Sequence, residues 1–140
     1  MLVSTKGRYA LRVMIDLAEH QAQGRIPLKD IAARQEVSEK YLENILSVLV
    51  RSNLLAGMRG KGGGYTLMVP PDQIRVGQVL RITEGSLAPV SCLDNKASTS
   101  PADAPMQEMW AELDHLINDY LDGITIADLV AKPRSFDYVI

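Results

Sequence analysis

Three groups of side chains in this 140-residue sequence could do chemistry. The first is Ser38, Glu39, Lys40, Tyr41, Glu43 and Asn44, a polar cluster able to donate to and accept from base edges and phosphates. The second is Arg59-Gly-Lys-Gly-Gly-Gly64, where two cations ride on a flexible tip. The third is Cys92, the one cysteine, whose thiolate could be oxidised, bridge to another chain or bind a metal. Catalysis has little to work with. His20 and His115 stand apart, with no nucleophile–base or metal-ligand spacing around either, so no enzyme is expected. The glycine run is no nucleotide cradle either. GxxxxGK[ST] is absent, and Tyr65 and Leu67 fall where GxGxxG needs its third glycine.

The elements that must position these groups are legible around them. Residues 28–34 read as a short helix and residues 35–37 as a tight connection. Ser38 is a good N-cap for the next helix, because its hydroxyl can accept from an otherwise unpaired amide. That helix places Leu42, Ile45, Leu46 and Leu49 on one face and the polar cluster on the other. Short apolar runs flank residues 59–64 and predict two strands joined by the basic tip. A solvated face and a plain turn are the bland readings of these two features. Their adjacency, order and spacing favour a winged helix-turn-helix, a mainly α fold with a small β-hairpin wing. The helix would enter the major groove of double-stranded DNA. The wing, through Arg59, Gly60, Lys61 and Gly62, would reach the flanking backbone or minor groove.

The rest of the chain frames this unit. Residues 4–10 open a first helix with Ala10, Leu11, Val13, Met14, Leu17 and Ala18 as its apolar face, ending by Gly24. Lys6 and Arg8 are candidates for phosphate contact, and Arg12 is either that or a solvated cation. Residues 26–28 form an extended link. Pro70 and Pro71 stop the wing, and Val76, Val79, Leu80 and Ile82 predict a further helix ending at Gly85. Residues 86–105 change character, with three prolines, many small polar residues and no period. Beyond them Asp103 can cap and Pro105 suits a first turn. Met106, Met109, Trp110, Leu113, Leu116, Ile117, Tyr120 and Leu121 then recur at helical steps up to Gly123. Thr125 and Asp128 are spaced as a capping box for a last short helix, and a tail begins at Pro133.

The expected organisation is a DNA-binding domain over 1–85, an inter-domain sensor-type loop over 86–105, and a dimerisation helix, short final helix and tail over 106–140. Met106, Met109, Trp110, Leu113, Ile117, Tyr120 and Leu121 are the expected dimer contacts, with packing back onto the same domain as the alternative. Two-fold symmetry would let the pair read a palindrome with half-sites about one DNA turn, roughly 34 Å, apart.

Bulk properties agree. Apolar content of 46% and charged content of 23% are ordinary for a globular protein. No apolar run approaches the roughly 20 residues of a bilayer span, and the start lacks a signal-peptide layout. With one cysteine there is no internal disulfide, so the expected location is the cytoplasm, with no membrane partner. The net charge of -2 conceals an asymmetry. Residues 1–81 carry 12 Lys+Arg against 7 Asp+Glu, whereas residues 82–140 carry 3 against 10. A basic front for phosphate and an acidic part held away from it fit that division.

At this point the chain resembles the bacterial Rrf-type winged-helix regulators, the IscR/CymR-like family, over nearly its whole length. The resemblance is carried by residues 4–10 (Ser-Thr-Lys-Gly-Arg-Tyr-Ala), 37–43 (Val-Ser-Glu-Lys-Tyr-Leu-Glu) and 59–65 (Arg-Gly-Lys-Gly-Gly-Gly-Tyr). Trp110 and residues 124–129 (Ile-Thr-Ile-Ala-Asp-Leu) also match. It implies a homodimeric transcription factor, here expected to be a repressor, with Ser38, Lys40, Tyr41, Glu43 and Asn44 facing the major groove and Arg59 with Lys61 serving the wing. Glu43 would accept from the cytosine amino group while repelling phosphate, and so reject wrong sites. The resemblance also raises an iron–sulphur cluster held by three loop cysteines and a fourth, non-cysteine ligand. Here the sequence departs. Cys92 matches the first position, but Ser98 or Ser100 and Ala104 stand at the later ones, with Gln107 near the fourth. Serine and alanine are poor substitutes for thiolate toward iron, so no cofactor is expected. Cys92 is then an inert loop residue, a redox-responsive thiol, or the remnant of a cluster site whose other cysteines are replaced, in nature or by design. Control by a metabolic enzyme is a further expectation from the resemblance. A protein-interaction module built on the same scaffold is the competing class.

Overall fold

The computed structural model of the chain describes residues 3–90 and 100–131. Met1, Leu2, the segment 91–99 with Cys92 and Ser98, and the tail from 132 lie outside the described residues.

Helix α1 (Thr5–Glu19) starts where Ser4 can cap it: the Ser4 hydroxyl accepts from Gly7 N at 3.0 Å. Helix α2 (Leu28–Gln35) ends at Glu36, which takes a left-handed conformation with φ 56° and turns the chain sharply. Ser38 then caps helix α3 (Glu39–Arg51), accepting from Tyr41 N at 3.1 Å. Leu42, Ile45, Leu46 and Leu49 of α3 are fully buried against Met14 and Leu17 of α1 and Ile31 of α2. Each such side chain contributes about 1.5–3 kcal/mol of transfer free energy, so this apolar seam seats the three-helix unit.

Strands β1 (Leu55–Met58) and β2 (Gly64–Leu67) form an antiparallel hairpin with Leu55 opposite Leu67 and Met58 opposite Gly64. The link expected over 26–28 contributes more than a connection. Ile26 pairs with Tyr65, each N–H donating to the other's carbonyl at 2.9 Å, which welds the wing to the link just before α2. Gly64 makes that approach possible: its φ is +145°, and a Cβ there would stand 2.5 Å from Ile26 O.

Helix α4 (Val76–Glu84) follows and packs on α1. The long helix α5 (Ala104–Asp122) begins two residues before the expected start at Met106, and Pro101–Asp103 is a 3-10 turn, so the loop is shorter than 86–105. Asp103 does not cap with its side chain. Ser100 caps the preceding turn instead, accepting from Ala102 N at 3.3 Å. Helix α6 (Ile126–Ala131) opens with the expected box: Thr125 N donates to Asp128 Oδ2 and Asp128 N to Thr125 Oγ1, both at 3.0 Å. This last helix returns to α1. Ile126 is fully buried in the main core, Val76 N donates to Ile124 O, and Ile126 N donates to Ile74 O. Helix α6 is therefore stitched into the first unit, while the first half of α5 is exposed.

Candidate nucleic-acid interface

The outward face of α3 carries Glu39, Lys40, Glu43 and Asn44, all exposed. Ser38 is exposed as well, with its hydroxyl oxygen engaged in the cap. Ser47 and Arg51 extend the same face by one and two turns. Sequence reading missed these two because the apolar Val48 and Val50 between them blur the polar pattern. Helical spacing from Lys40 to Asn44, Ser47 and Arg51 was the signal that could have found them.

Tyr41 departs from the expected pattern. It is half-buried and packs against the core, with its ring edge-on to Tyr9 at 5.9 Å between centroids. Its position on the helix lies toward α1. Arg12 departs further. Its guanidinium donates to Gln35 Oε1 at 2.8 Å and to Gln35 O at 2.9 Å, and lies 4.4 Å from the centre of the Tyr9 ring. It ties α1 to the end of α2 rather than standing free for phosphate.

The wing lies alongside α3. Arg59, Gly60, Lys61 and Gly62 are exposed at its tip, and Gly60 and Gly62 take positive φ. Between the wing, the start of α2 and the first half of α3 runs a groove of about 420 Å³, lined by Lys29, Glu39, Glu43, Met58, Arg59 and Tyr65 among others. A smaller hollow of about 260 Å³, also bordered by Met58, is lined by Ser47, Val50, Arg51 and Arg59. Arg59 borders both. The wing thus brings a cation beside two carboxylates at one end of α3 and beside Arg51 at the other. Among the α1 candidates, Arg8 is exposed and Lys6 half-exposed on the first turns of that helix.

A protruding helix with mixed donors and acceptors, flanked by a basic glycine-tipped hairpin, is the geometry of a winged helix-turn-helix. The model of the Rrf2 family, described as an iron-dependent transcriptional regulator, matches residues 3–132. The chain belongs to the Rrf2 family. Among Rrf2 relatives, the HTH-type transcriptional regulator IscR of Aliivibrio salmonicida is 37% identical over 130 residues, covering 93% of this chain and 77% of that one. The HTH-type transcriptional regulator CymR of Bacillus subtilis is 38% identical over 131 residues, covering 94% and 91%. The solved structure of CymR, the global cysteine regulator of B. subtilis, superposes with a TM-score of 0.80 at 36% identity, covering 96% of this chain and 99% of that one. The chain is a winged-helix transcriptional regulator of this family, mostly helical with one two-stranded wing. No described helix is long and apolar enough to cross a membrane.

The family description raises iron, and a cluster asks for thiolates. This chain offers one, Cys92, and the serines and alanine at the neighbouring loop positions do not replace the others. The donor set does not fit an iron–sulphur cluster. The histidines do not add to it. His20 Nδ1 lies 2.7 Å from Asp16 O, so it donates there, while His115 faces Asp119 on the exposed surface of α5.

The expected dimer contacts divide into two sets. Ile117 and Leu121 are half-buried and pack onto Val76, Leu80 and Leu87 of the same chain, the alternative the sequence left open for this stripe. The stripe was one period in the sequence, and α4 covers one flank of it. Met106, Met109, Leu113 and Tyr120 remain exposed with Leu116, and Trp110 is half-exposed beside them.

Proposed function

We propose that the chain acts as a homodimeric, sequence-specific repressor on a palindromic operator, with no catalytic role and no resident cluster. The observation that carries this reading is the outward face of α3 lying beside the basic wing. Lys40, Asn44, Ser47 and Arg51 serve base edges and phosphates, Arg59 and Lys61 serve the flanking groove, and Lys6 and Arg8 add phosphate contacts from α1. Glu39 and Glu43 supply rejection, since a carboxylate is tolerated only where a cytosine amino group meets it. The exposed stripe of α5 supplies the partner surface. Control by Cys92 oxidation, a metabolite or a partner enzyme would act through the segment joining the two parts.

The test is selection of duplexes from a random pool, followed by binding titrations across a salt series. The reading expects a two-fold symmetric consensus and affinity that falls steeply with salt as counterions are released. Arg59→Ala and Lys61→Ala should weaken binding to all duplexes alike. Glu43→Ala should instead flatten the ranking of operator variants. A pool that yields no enriched sequence at low salt would favour a protein-interaction role for the same scaffold.

A further inference from the structure

Behind the outward face of α3 lies a polar network that none of the proposed DNA contacts uses. Asp16 is 2% exposed. Its carboxylate accepts from Arg34 Nε at 2.9 Å and Nη2 at 2.7 Å, and from Gln35 Nε2 at 2.9 Å. Gln35 works in both directions, because its Oε1 accepts from Arg12 Nε at 2.8 Å. Arg12 Nη2 also donates at 2.9 Å to the backbone oxygen of Gln35, one of the terminal carbonyls that α2 leaves without a helical partner. The Arg12 guanidinium covers the Tyr9 ring, and Tyr9 meets Tyr41, in the first turn of α3, at an interplanar angle of 90°.

We propose that Gln35 is a positioning residue for the recognition helix. It couples the buried Asp16 carboxylate to the Arg12–Tyr9–Tyr41 stack and thereby fixes how α3 is turned against α1. The proposal rests on the DNA-reading role assigned to α3 above. The buried Leu42, Ile45, Leu46 and Leu49 set the depth of α3, but apolar burial is non-directional and leaves rotation loosely defined. Directional bonds at the end of α2 supply what burial lacks. A carboxamide, which both donates and accepts, suits the position. Asp16 can only accept and Arg12 can only donate, so a glutamate would set carboxylate against carboxylate and a cation would repel Arg12. Because Gln35 acts through its neighbours, its loss should blur base readout, which tolerates displacements of only about 0.5 Å, and leave phosphate attraction intact.

The experiment uses an operator selected with the wild-type chain. Wild type, Gln35→Ala and Gln35→Glu are titrated by fluorescence anisotropy against that operator and a non-specific duplex of equal length, over a salt series. Gln35→Ala should lose about tenfold in operator affinity, the scale of one directional bond, while its affinity for the non-specific duplex and the salt slope stay at the wild-type values. Gln35→Glu should lose at least as much, and Tyr9→Leu, which cuts the chain of contacts further along, should give the same pattern. Equal losses on both duplexes would mean that Gln35 is a phosphate-side residue, and unchanged affinities on both would mean that it is idle; either overturns the proposal. Should Gln35→Ala not fold, Gln35→Met keeps the side-chain bulk and is read by the same ratio. A readout without DNA keeps the two readings apart. The Tyr41 ring and α3 amide resonances should move in Gln35→Ala, and unmoved resonances sink the coupling whether or not the wild type selects an operator.

Discussion

Arg81 and Asp122, 41 residues apart in the chain, are joined by two parallel hydrogen bonds: Nη1 to Oδ1 at 2.9 Å and Nη2 to Oδ2 at 2.8 Å. Asn118 accepts a third from Nη2 at 2.6 Å. The fork holds α5 to α4, and so sets the angle at which the long helix leaves the first domain. Gly77 permits it, since a Cβ at that position would meet Asp122 Oδ1. Both side chains are more than a third exposed, so water screens the pair and its worth is modest. Arg81→Ala should cost about 1 kcal/mol in urea unfolding and, more tellingly, speed amide exchange in the second half of α5 while α1 to α3 stay protected. Uniform loss of protection would show that the fork is not a local tether.

Acid should act through Asp16. Burial pushes its carboxyl up, but the hydrogen bonds from Arg34 and Gln35 and the charge of Arg34 outweigh burial and hold it below the ordinary carboxylate value. His20, with Nδ1 3.6 Å from Asp16 Oδ1, adds a weaker pull in the same direction. A carboxyl depressed in the folded state contributes fully above the ordinary carboxylate range and loses that contribution as pH falls through its lowered value. Wild type should therefore lose stability between about pH 4 and the depressed value, and Asp16→Asn should lose less over that interval. At neutral pH Asp16→Asn should cost about 2 kcal/mol. This is below the usual cost of breaking a buried pair, because Arg34 is a third exposed and can rehydrate. Thermal unfolding of both proteins from pH 3 to pH 7 measures the difference, and parallel curves would remove Asp16 from the acid response.

The wing should depend on one glycine. Gly64→Ala forces a side chain into φ +145° and sets its Cβ against Ile26 O, so the paired bonds between Ile26 and Tyr65 must open. Strain of this kind costs about 1–3 kcal/mol. The expected result is a drop of that size in stability and faster exchange at Ile26 and Tyr65, with α4 and α5 unaffected. Retention of slow exchange at both amides would contradict the weld.

What was legible in the sequence was local. Ser4, Ser38 and the Thr125–Asp128 box announce helix starts because a cap needs only its own next few residues. The wing was legible for the same reason, as two apolar runs around a glycine tip. Pairings across the chain were not. Nothing near Ile26 points to Tyr65, nothing near Asp16 points to Arg34, and nothing near Arg81 points to Asp122. Arg12 illustrates the limit of residue type: a cation near a helix start suggests phosphate, yet its partners are Gln35 and Tyr9. The candidate interface was legible at the start of α3 and at the wing tip, but Ser47 and Arg51 became visible only when the helix face was seen. Tyr41 moved the other way, since its neighbour Tyr9 lies on another helix.

The division of α5 carries the last prediction. Ile117 and Leu121 are covered by α4 and the residues that follow it, whereas Met109, Leu113, Leu116 and Tyr120 are 51%, 38%, 58% and 68% exposed. Steps of four, three and four residues keep these exposed positions on one narrow helical stripe, the spacing of a seam between helices. An apolar stripe of this length left in water invites a second surface, and an equivalent stripe on a second copy meets it by two-fold symmetry. Leu116→Asp should therefore shift the mass in light scattering from twice 15.4 kDa to 15.4 kDa. Helical content should be retained, because Leu116 is not part of the core that folds the chain. Operator affinity should fall with it, since one winged helix reads only half of a palindrome. Ile117→Asp is the contrasting variant. It inserts a charge against Val76 and Leu80, and should lower the stability of the first domain itself. If Leu116→Asp stays at the dimer mass, the exposed stripe is not the surface that joins two copies.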